Sequence, residues 1–170
     1  MILKPVRPGD ALSLSDRDAH RPRSLQDRDA VKAALKEEVD ALGDLQDKLI
    51  ADKRHAVLVI LQGRDASGKD GTIKQVFDGC NPQGVRVTSF GVPTSLELSH
   101  DFLWRCHINV PPRGYIGIWT RSHYEVVLAV RVRRIAPPKV WRARFEQINN
   151  FEKMLAANGV TILKFFLHIS

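Results

Sequence analysis

The sequence predicts an α/β protein, a three-layer α/β/α sandwich built around a parallel sheet. Two observations support this prediction. Short runs rich in leucine and β-branched residues alternate along the chain with segments of helical periodicity, which is the pattern of βαβ units. The first of these runs, residues 56–62, is almost continuously apolar, as expected for a strand that is covered on both faces.

The first helix is predicted over residues 24–52. Its apolar residues recur at spacings of three and four and so share one face, while charged residues fill the other face. The residues before it are rich in Pro, Asp, Arg and Ser and contain few large apolar side chains. We therefore divide the chain into an N-terminal arm, residues 1–25, which we expect to be poorly ordered, and one domain, residues 26–170.

The remaining elements follow in order along the chain. The strand at 56–62 is followed by a glycine-containing loop. A helix is predicted next, within residues 69–79. The later predictions are a strand at 84–90, a helix at 95–108 with Ser95 as N-cap, a strand at 114–120, a helix (favoured over a strand) at 122–132, a helix at 140–159 and a buried strand at 160–169.

The overall charge indicates the kind of partner. The chain has 170 residues, which suits one domain with a substantial core, and its formal net charge at pH 7 is +7. Such a charge favours a polyanionic partner: nucleic acid, a phosphorylated substrate or an acidic membrane surface. A protein that is basic without any such partner is the alternative at this point.

Several classes of protein are disfavoured. The two cysteines, Cys80 and Cys106, are far apart and lack a CxxC spacing, which argues against a disulfide framework or a zinc site. The first residues contain no long apolar run of the kind found in a secretory signal, and no segment approaches the roughly 20 apolar residues of a membrane span. We expect a cytoplasmic protein.

The segment LQGRDASGKDGT contains a candidate phosphate-binding loop. Gly63, Gly68 and Lys69 fit the pattern G-x-x-x-x-G-K between a buried strand and a helix, the context in which this pattern is informative. The glycines allow backbone N–H groups to curl around an anion, and the helix N-terminus and the lysine add positive charge. The alternative is a glycine-rich turn with an exposed lysine.

The residue after the lysine is Asp70, where the usual loop has the Ser or Thr that binds Mg²⁺. Asp65, inside the loop, is the nearest carboxylate that could take over this role. A carboxylate beside a phosphate is unfavourable because like charges repel, but a cation between them makes the placement favourable. Asp65 is therefore the candidate metal ligand.

Three motifs resemble one known family: LQGRDASGKDGTIKQVFDGCNPQGVRVTSF, HDFLWRCH and RSHYEVVLAVRV are similar to the polyphosphate kinase 2 family, and most like its class III branch. The resemblance implies a P-loop kinase-like fold, similar to thymidylate kinase. It implies transfer of phosphoryl groups between inorganic polyphosphate and AMP, ADP or GDP with Mg²⁺ or Mn²⁺, in a dimer or tetramer. It also implies a C-terminal helical lid after residue 170, which we expect to be missing here.

The resemblance also implies roles for single residues. Asp65 matches the loop aspartate that binds metal and aligns the acceptor phosphate, Lys69 the lysine on the transferring phosphate, and Arg121 the arginine that neutralises the moving group. The other matching residues of the phosphate-binding loop are Gly63, Arg64, Ala66, Ser67, Gly68, Asp70 and Gly71. In this family the missing hydroxyl at Asp70 is ordinary.

The acceptor nucleotide is expected near Asp101 and Arg105, in the segment HDFLWR, although Arg105 could be a solvated helix residue. Thr120 departs from the family, because many relatives have an aspartate there as a second metal ligand. We treat the histidines as ordinary core or surface residues, since they lack metal-ligand spacing.

Basic residues are candidates for a track that binds polyphosphate: Lys74, Arg131, Arg133 and Arg134. With polyphosphate and nucleoside mono- or diphosphates as partners, we expect neither nucleic acid nor membrane binding. Two alternatives stay open at the level of sequence. One is an ATP-dependent P-loop kinase for a small acceptor, and the other is a weakly active or non-catalytic module that binds polyphosphate or nucleotide.

Overall fold

The computed structural model describes residues 5–7, 9–20, 22, 25–132 and 137–169. In chain order its main elements are α1 (Arg28–Asp52), β1 (Ala56–Gly63), α2 (Lys69–Val76), β2 (Val85–Ser89), α3 (Ser95–Leu98), α4 (Trp104–His107), β3 (Ile116–Thr120), α5 (Glu125–Val132), α6 (Pro138–Ala157) and β4 (Val160–Leu167). Strands and helices alternate, as the sequence predicts.

The described strands form one parallel sheet in the order β2-β3-β1-β4. The chain leaves β1, skips a place to form β2, and returns to fill that place with β3. As a result β1 lies between β3 and β4, with Leu61 opposite Thr120 and Gly63 opposite Leu167. The carboxyl ends of β1 and β3 are therefore neighbours, and this is the position at which parallel sheets bind ligands.

Helices cover both faces of the sheet, so the predicted three layers are confirmed. Alternate residues of β1 point to opposite faces, and each set enters a separate hydrophobic cluster. Leu58 and Ile60 pack with residues of α6, while Val59 and Leu61 pack with residues of α1 and α2. Burial of each such side chain contributes about 1.5–3 kcal/mol, which explains why the run is apolar throughout.

The helix predicted at 95–108 is wrong as one continuous element. The structure has two short helices, α3 and α4, separated by a turn. The side chain of Asp101 accepts a hydrogen bond from Leu103 N, and such a local side-chain bond competes with helix formation. The N-cap is Thr94 rather than Ser95, because Thr94 and Glu97 bond to each other's backbone N–H in a capping box.

One helix boundary and the burial of one strand also differ from the prediction. Helix α6 begins at Pro138 rather than at residue 140, since proline is favoured in the first turn, where its missing N–H costs nothing. Strand β4 forms as predicted, but only Val160 in it is buried, because β4 lies at the edge of the described sheet. The expectation of a buried strand there is wrong.

The described part of the arm contains a 3₁₀ turn, Asp16–Ala19, and reaches the end of β4, where His168 Nε2 donates to Ser15 O at 2.9 Å. The division of the chain at residue 25 stays a prediction. Among the described helices none is both long and apolar enough to cross a membrane.

Candidate active site

The loop between β1 and α2, residues 63–68 and hereafter the glycine loop, has an unusual backbone. Ala66 has φ +61° and Gly68, the N-cap of α2, has φ +76°. Gly68 adopts this left-handed conformation without strain, whereas Ala66 does so at a cost of roughly 1–2 kcal/mol. Ser67 N donates to Arg64 O at 3.1 Å, which closes the turn. Successive N–H groups in such turns form concave sites for anions.

Two glycines of this region have different roles in packing. A Cβ on Gly63 would lie 2.4 Å from Ser67 Oγ and 2.8 Å from Leu167 O, so only glycine fits beside the end of β4. A Cβ on Gly71 would meet nothing within 4 Å. Because Gly71 lies in α2 and faces open space, the packing of this chain does not require a glycine there.

Lys69 holds its amino group over the glycine loop. The Nζ atom donates to Arg64 O at 2.8 Å, to Gly63 O at 3.2 Å and to Ser67 Oγ at 3.3 Å. These contacts match the three donors of an ammonium group. The positive charge is therefore fixed within the loop before any ligand arrives.

A second pair of charges lies across the gap between β1 and β3. Arg121 Nη2 is 3.8 Å from Asp65 Oδ1, and the two side chains are 55% and 98% exposed. An exposed pair at this distance contributes at most about 1 kcal/mol, so both groups can turn to a ligand at little cost. Arg121 follows β3 directly and has φ +55°, a strained conformation for a residue with a Cβ.

The residues beside Arg121 are buried and link the two strand ends. Thr120, at the position where a second acid was expected, is 5% exposed. Ser122 is fully buried, and its Oγ atom accepts from Gln62 Nε2 at 2.8 Å and from Tyr124 N at 3.3 Å. The end of β1 is thus bonded to the turn after β3.

A polar cluster continues from this turn into the core. Glu152 on α6 accepts hydrogen bonds from His123 Nε2 at 3.0 Å, from Lys164 Nζ at 2.8 Å and from the hydroxyl of Tyr124. Burial alone would raise the pKa of the Glu152 carboxyl, but the three hydrogen bonds outweigh burial and lower it to about 2. Burial and the bond to this carboxylate raise the pKa of Tyr124 far above its usual range.

The sequence motifs do not predict this cluster, which we call the Glu152 cluster: His123, Tyr124, Glu152 and Lys164. His123 is a core histidine, as expected, but it binds a charged partner. One signal was available in the sequence. Ile148, Phe151 and Leu155 form the buried face of α6, and Glu152 stands one helical turn after Ile148 on that face. A charged residue on an apolar helix face is expected to bind a charged or hydrogen-bonding partner, because unpaired charges are rarely buried.

The two residues expected at the acceptor nucleotide make their side-chain polar contacts within the segment 91–103. Arg105 is 7% exposed in its side chain, and Nη1 donates to Gly91 O at 3.0 Å and lies 3.9 Å from Glu97 Oε2. Its guanidinium also stacks over the ring of Phe90. Asp101 forms the turn between α3 and α4. Arg105 is therefore not the solvated helix residue of the alternative reading.

Of the expected polyphosphate track, Lys74 is exposed near the end of α2. The backbone of Arg131 lies in α5, but its side chain is outside the described residues, and so are Arg133 and Arg134 entirely. The track stays a prediction.

The described side chains contain no group of three or more His, Cys, Asp or Glu residues that could hold a metal ion. A cation at the glycine loop would have to share the exposed carboxylate of Asp65 with ligand oxygens and water. That arrangement suits Mg²⁺, which keeps several waters and is commonly bound by one or two carboxylates together with phosphate oxygens. The residues present are thus compatible with Mg²⁺ bound together with a phosphate ligand.

Comparison with known proteins decides the family. Residues 25–170 match the family model of Polyphosphate kinase 2 (PPK2). The chain belongs to the polyphosphate kinase 2 family. The glycine loop, Arg121 and the Glu152 cluster all lie within the matched residues, so the geometry described above is that of a polyphosphate kinase 2 domain.

The relatives carry related names. The chain is 60% identical to the AMP/ADP-polyphosphate phosphotransferase of Meiothermus ruber over 129 residues, which is 76% of this chain and 48% of that protein. It is 49% identical to the ADP-polyphosphate phosphotransferase of Rhodopseudomonas palustris over 148 residues, which is 80% of this chain and 51% of that protein. The chain therefore spans about half the length of these curated relatives.

A solved structure confirms the fold. The crystal structure of polyphosphate kinase 2 from Arthrobacter aurescens TC1 superimposes with a TM-score of 0.80 at 35% identity, and the match covers 97% of this chain and 59% of that one. The predicted P-loop kinase-like α/β fold is thereby confirmed for this polyphosphate kinase 2 chain.

Proposed function

We propose that this protein is a polyphosphate-dependent nucleotide phosphotransferase, which moves phosphoryl groups between inorganic polyphosphate and AMP, ADP or GDP with Mg²⁺ or Mn²⁺. The observation that supports it most is the arrangement of charges at the carboxyl ends of β1 and β3. Lys69 is fixed over the glycine loop, and Arg121 faces Asp65 at 3.8 Å. The names of the relatives from M. ruber and R. palustris support polyphosphate, AMP and ADP as substrates.

The reaction requires little covalent chemistry from the protein. Phosphoryl transfer depends on aligning donor and acceptor and on neutralising charge that spreads over the equatorial oxygens. We assign Lys69 and the backbone of the glycine loop to the phosphate groups of polyphosphate. Arg121, which is half-exposed on the other side of the gap, would neutralise the group in transfer. Each side chain thus acts by position and charge.

Asp65 is the carboxylate that would hold the divalent cation, in company with phosphate oxygens and water. When bound, such a cation neutralises part of the negative charge on the phosphate chain. Asp65 also lies 3.8 Å from Arg121 in a loose ion pair, which leaves both groups able to turn to a ligand.

We place the acceptor nucleotide beside the segment 91–105. Arg105 holds this segment through its hydrogen bond to Gly91 O and its ion pair with Glu97. Asp101 fixes the turn within the segment through its hydrogen bond from Leu103 N. The exposed Lys74, with Arg131, Arg133 and Arg134, would extend the polyphosphate track beyond the glycine loop.

We also propose that the protein is a homo-oligomer, which light scattering on the purified protein would test.

A second candidate function is a module that binds polyphosphate or nucleotide with little or no turnover. It is favoured by Thr120, which is buried and uncharged at the position of a second metal ligand in many relatives. An assay with exchanged donors separates the candidates. The protein is given polyphosphate or ATP as donor, and AMP, ADP or GDP as acceptor, with Mg²⁺.

Phosphorylated nucleotide that forms only with polyphosphate is the expected result. Binding without turnover would favour the second candidate. Turnover only with ATP as donor, tested with these nucleotides and with added non-nucleotide acceptors, would contradict the proposal and favour an ATP-dependent kinase. Omitting Mg²⁺ and adding Mn²⁺ in parallel reactions tests the cofactor within the same experiment.

A further inference from the structure

The Glu152 cluster lies directly behind the turn that carries Arg121. His123 and Tyr124 are the second and third residues after Arg121, and both donate hydrogen bonds to the same carboxylate oxygen of Glu152. Lys164 on β4 donates to the other oxygen at 2.8 Å. One carboxylate on α6 therefore connects the turn after β3 with the edge strand of the sheet.

This carboxylate is ionised although its side chain is only 13% exposed. A buried charge is unfavourable unless a partner and hydrogen bonds compensate for its lost hydration, and replacing a whole buried ion pair by apolar side chains often costs a protein nothing in stability. The hydrogen bonds to such a charge can hold the donor residues in one conformation. In this protein the donors His123 and Tyr124 belong to the turn at residues 122–124.

The turn itself needs such support. Arg121 has φ +55°, and a strained residue keeps that conformation only where its surroundings hold it. Gln62 holds Ser122 from the side of β1. His123 is fully buried, and its Nδ1 atom has no hydrogen-bond partner within the described part of the chain, so Glu152 alone bonds to its ring through Nε2.

We propose that Glu152 is a positioning residue, which fixes the turn at residues 122–124 and thereby holds the guanidinium of Arg121 at the opening of the glycine loop. The proposal rests on the proposed function, because it gives Arg121 a phosphate ligand. It assigns a role in binding polyphosphate to a side chain whose hydrogen bonds go to His123, Tyr124 and Lys164.

The charge of Glu152 allows a positioning role to be distinguished from a simple effect of charge on binding. Glu152→Gln removes a negative charge, and the simple effect on the field is tighter binding of a polyanion. If Glu152 positions Arg121, its loss should instead weaken the binding of a polyanion. Glu146→Gln is the matched control, because Glu146 is an exposed glutamate on the same helix. The probe is inorganic tripolyphosphate, titrated calorimetrically into the purified protein without nucleotide.

We expect Glu152→Gln to weaken tripolyphosphate binding by about three- to tenfold, the scale of one misplaced charge-assisted hydrogen bond, and Glu146→Gln to leave it equal or slightly tighter. Arg121→Ala should weaken binding as well, and adding Glu152→Gln to Arg121→Ala should add little, because both changes remove the same contact. Effects that add in full would contradict the positioning role.

Hydrogen exchange supplies a readout independent of binding. Glu152→Gln should speed amide exchange in residues 121–125 by a larger factor than in β1, because the central strand β1 exchanges through global unfolding and reports the general loss of stability, whereas a merely structural loss would speed both segments by the same factor. Should Glu152→Gln fail to fold, Tyr124→Phe removes one of the three bonds and should show the same local effect in weaker form. Exchange at 121–125 that speeds by no larger a factor than exchange in β1 would overturn the proposal.

The two levels of inference can fail separately. If the unaltered protein does not bind tripolyphosphate, the proposed function fails, and the exchange data alone decide whether Glu152 positions the turn. If it binds but Glu152→Gln binds as tightly as Glu146→Gln, the proposed function stands and the positioning role is wrong.

Discussion

Arg121 and Asp65 face each other at 3.8 Å across the gap between the ends of β1 and β3, and both side chains are largely open to solvent. The attraction between the two charges is weak, because both are exposed and 3.8 Å apart, so each can still bind another partner. The register of the sheet brings them together, because Leu61 lies opposite Thr120, Arg121 follows Thr120 directly, and Asp65 comes a few residues after Leu61 in the glycine loop. Opposite charges that are close and not firmly paired can both bind a metal-loaded phosphate.

The role of Asp65 can be tested by Asp65→Asn, which keeps the size of the side chain and removes its charge. We expect the rate of transfer at saturating substrate to fall by about 10²- to 10³-fold, the usual cost of one electrostatic group at a reacting centre, and the Mg²⁺ needed for half-maximal rate to rise. The measurement is initial rate against Mg²⁺ concentration. Asp78→Asn, at an exposed position after α2, is the control and should change neither value.

The strain at Arg121 yields a prediction about stability. Arg121→Ala and Arg121→Gly both remove the guanidinium, and both should abolish most transfer. At φ +55°, however, glycine avoids the clash of a Cβ, so Arg121→Gly should be more stable than Arg121→Ala by roughly 0.5–1 kcal/mol. Urea unfolding of the two variants measures this. An alanine variant as stable as the glycine variant would mean that the turn is not strained.

The two glycines Gly63 and Gly71 should respond differently to alanine. Gly63→Ala places a methyl group against Leu167 O and should destabilise the protein by roughly 1–3 kcal/mol. Gly71→Ala lies in a helix with open space around it and should stabilise the protein by about 0.5–1 kcal/mol. Thermal unfolding compares them.

Binding adds a second readout for this pair. If Gly71→Ala also weakens tripolyphosphate binding while raising stability, that glycine serves the ligand rather than the fold. Equal loss of stability in both variants would contradict the packing described for the glycine loop.

The Glu152 cluster predicts a dependence of stability on pH. The pKa of Glu152 is about 2 in the folded protein, below the ordinary value of 4.5. The folded state therefore binds this proton less readily, and the contribution of Glu152 is fully present above pH 4.5 and is lost as pH falls from 4.5 towards 2. Its size is on the order of 3 kcal/mol.

Denaturant unfolding of the unaltered protein and Glu152→Gln measures this contribution, since acidic groups common to both cancel in the difference. We expect a large difference in the free energy of unfolding at pH 6 and a steady decrease below pH 4.5. A difference that stays constant over this range would show that the carboxylate is not held in its charged form by the cluster.

Much of the fold could be predicted because it depends on local patterns. Strand β1 is buried on both faces and is therefore an apolar run, and the glycine loop is contiguous in sequence. The prediction of one helix at 95–108 is wrong for a physical reason. Its periodicity is helical, but Asp101 bonds to Leu103 N and Thr94 supplies the cap one residue earlier. Such side-chain bonds carry no periodic signal.

The candidate site was found only in part for a related reason. Asp65 and Lys69 belong to one motif, and Arg121 to a second that the resemblance supplied. The contact of His123 with Glu152 joins residues 29 positions apart, and that of Gln62 with Ser122 joins residues 60 positions apart. Only the sheet order and the packing of α6 bring these pairs together.

Transfer of labelled phosphate tests the central claim most directly. Radiolabelled polyphosphate is incubated with ADP and Mg²⁺, and with either the unaltered protein or Lys69→Ala, and the label is followed into ATP. The account predicts label in ATP with the unaltered protein and its loss by about 10³-fold or more with Lys69→Ala, because the fixed charge over the glycine loop is gone. Labelled ATP formed equally well by Lys69→Ala would contradict the account, since the reaction would then occur at another site.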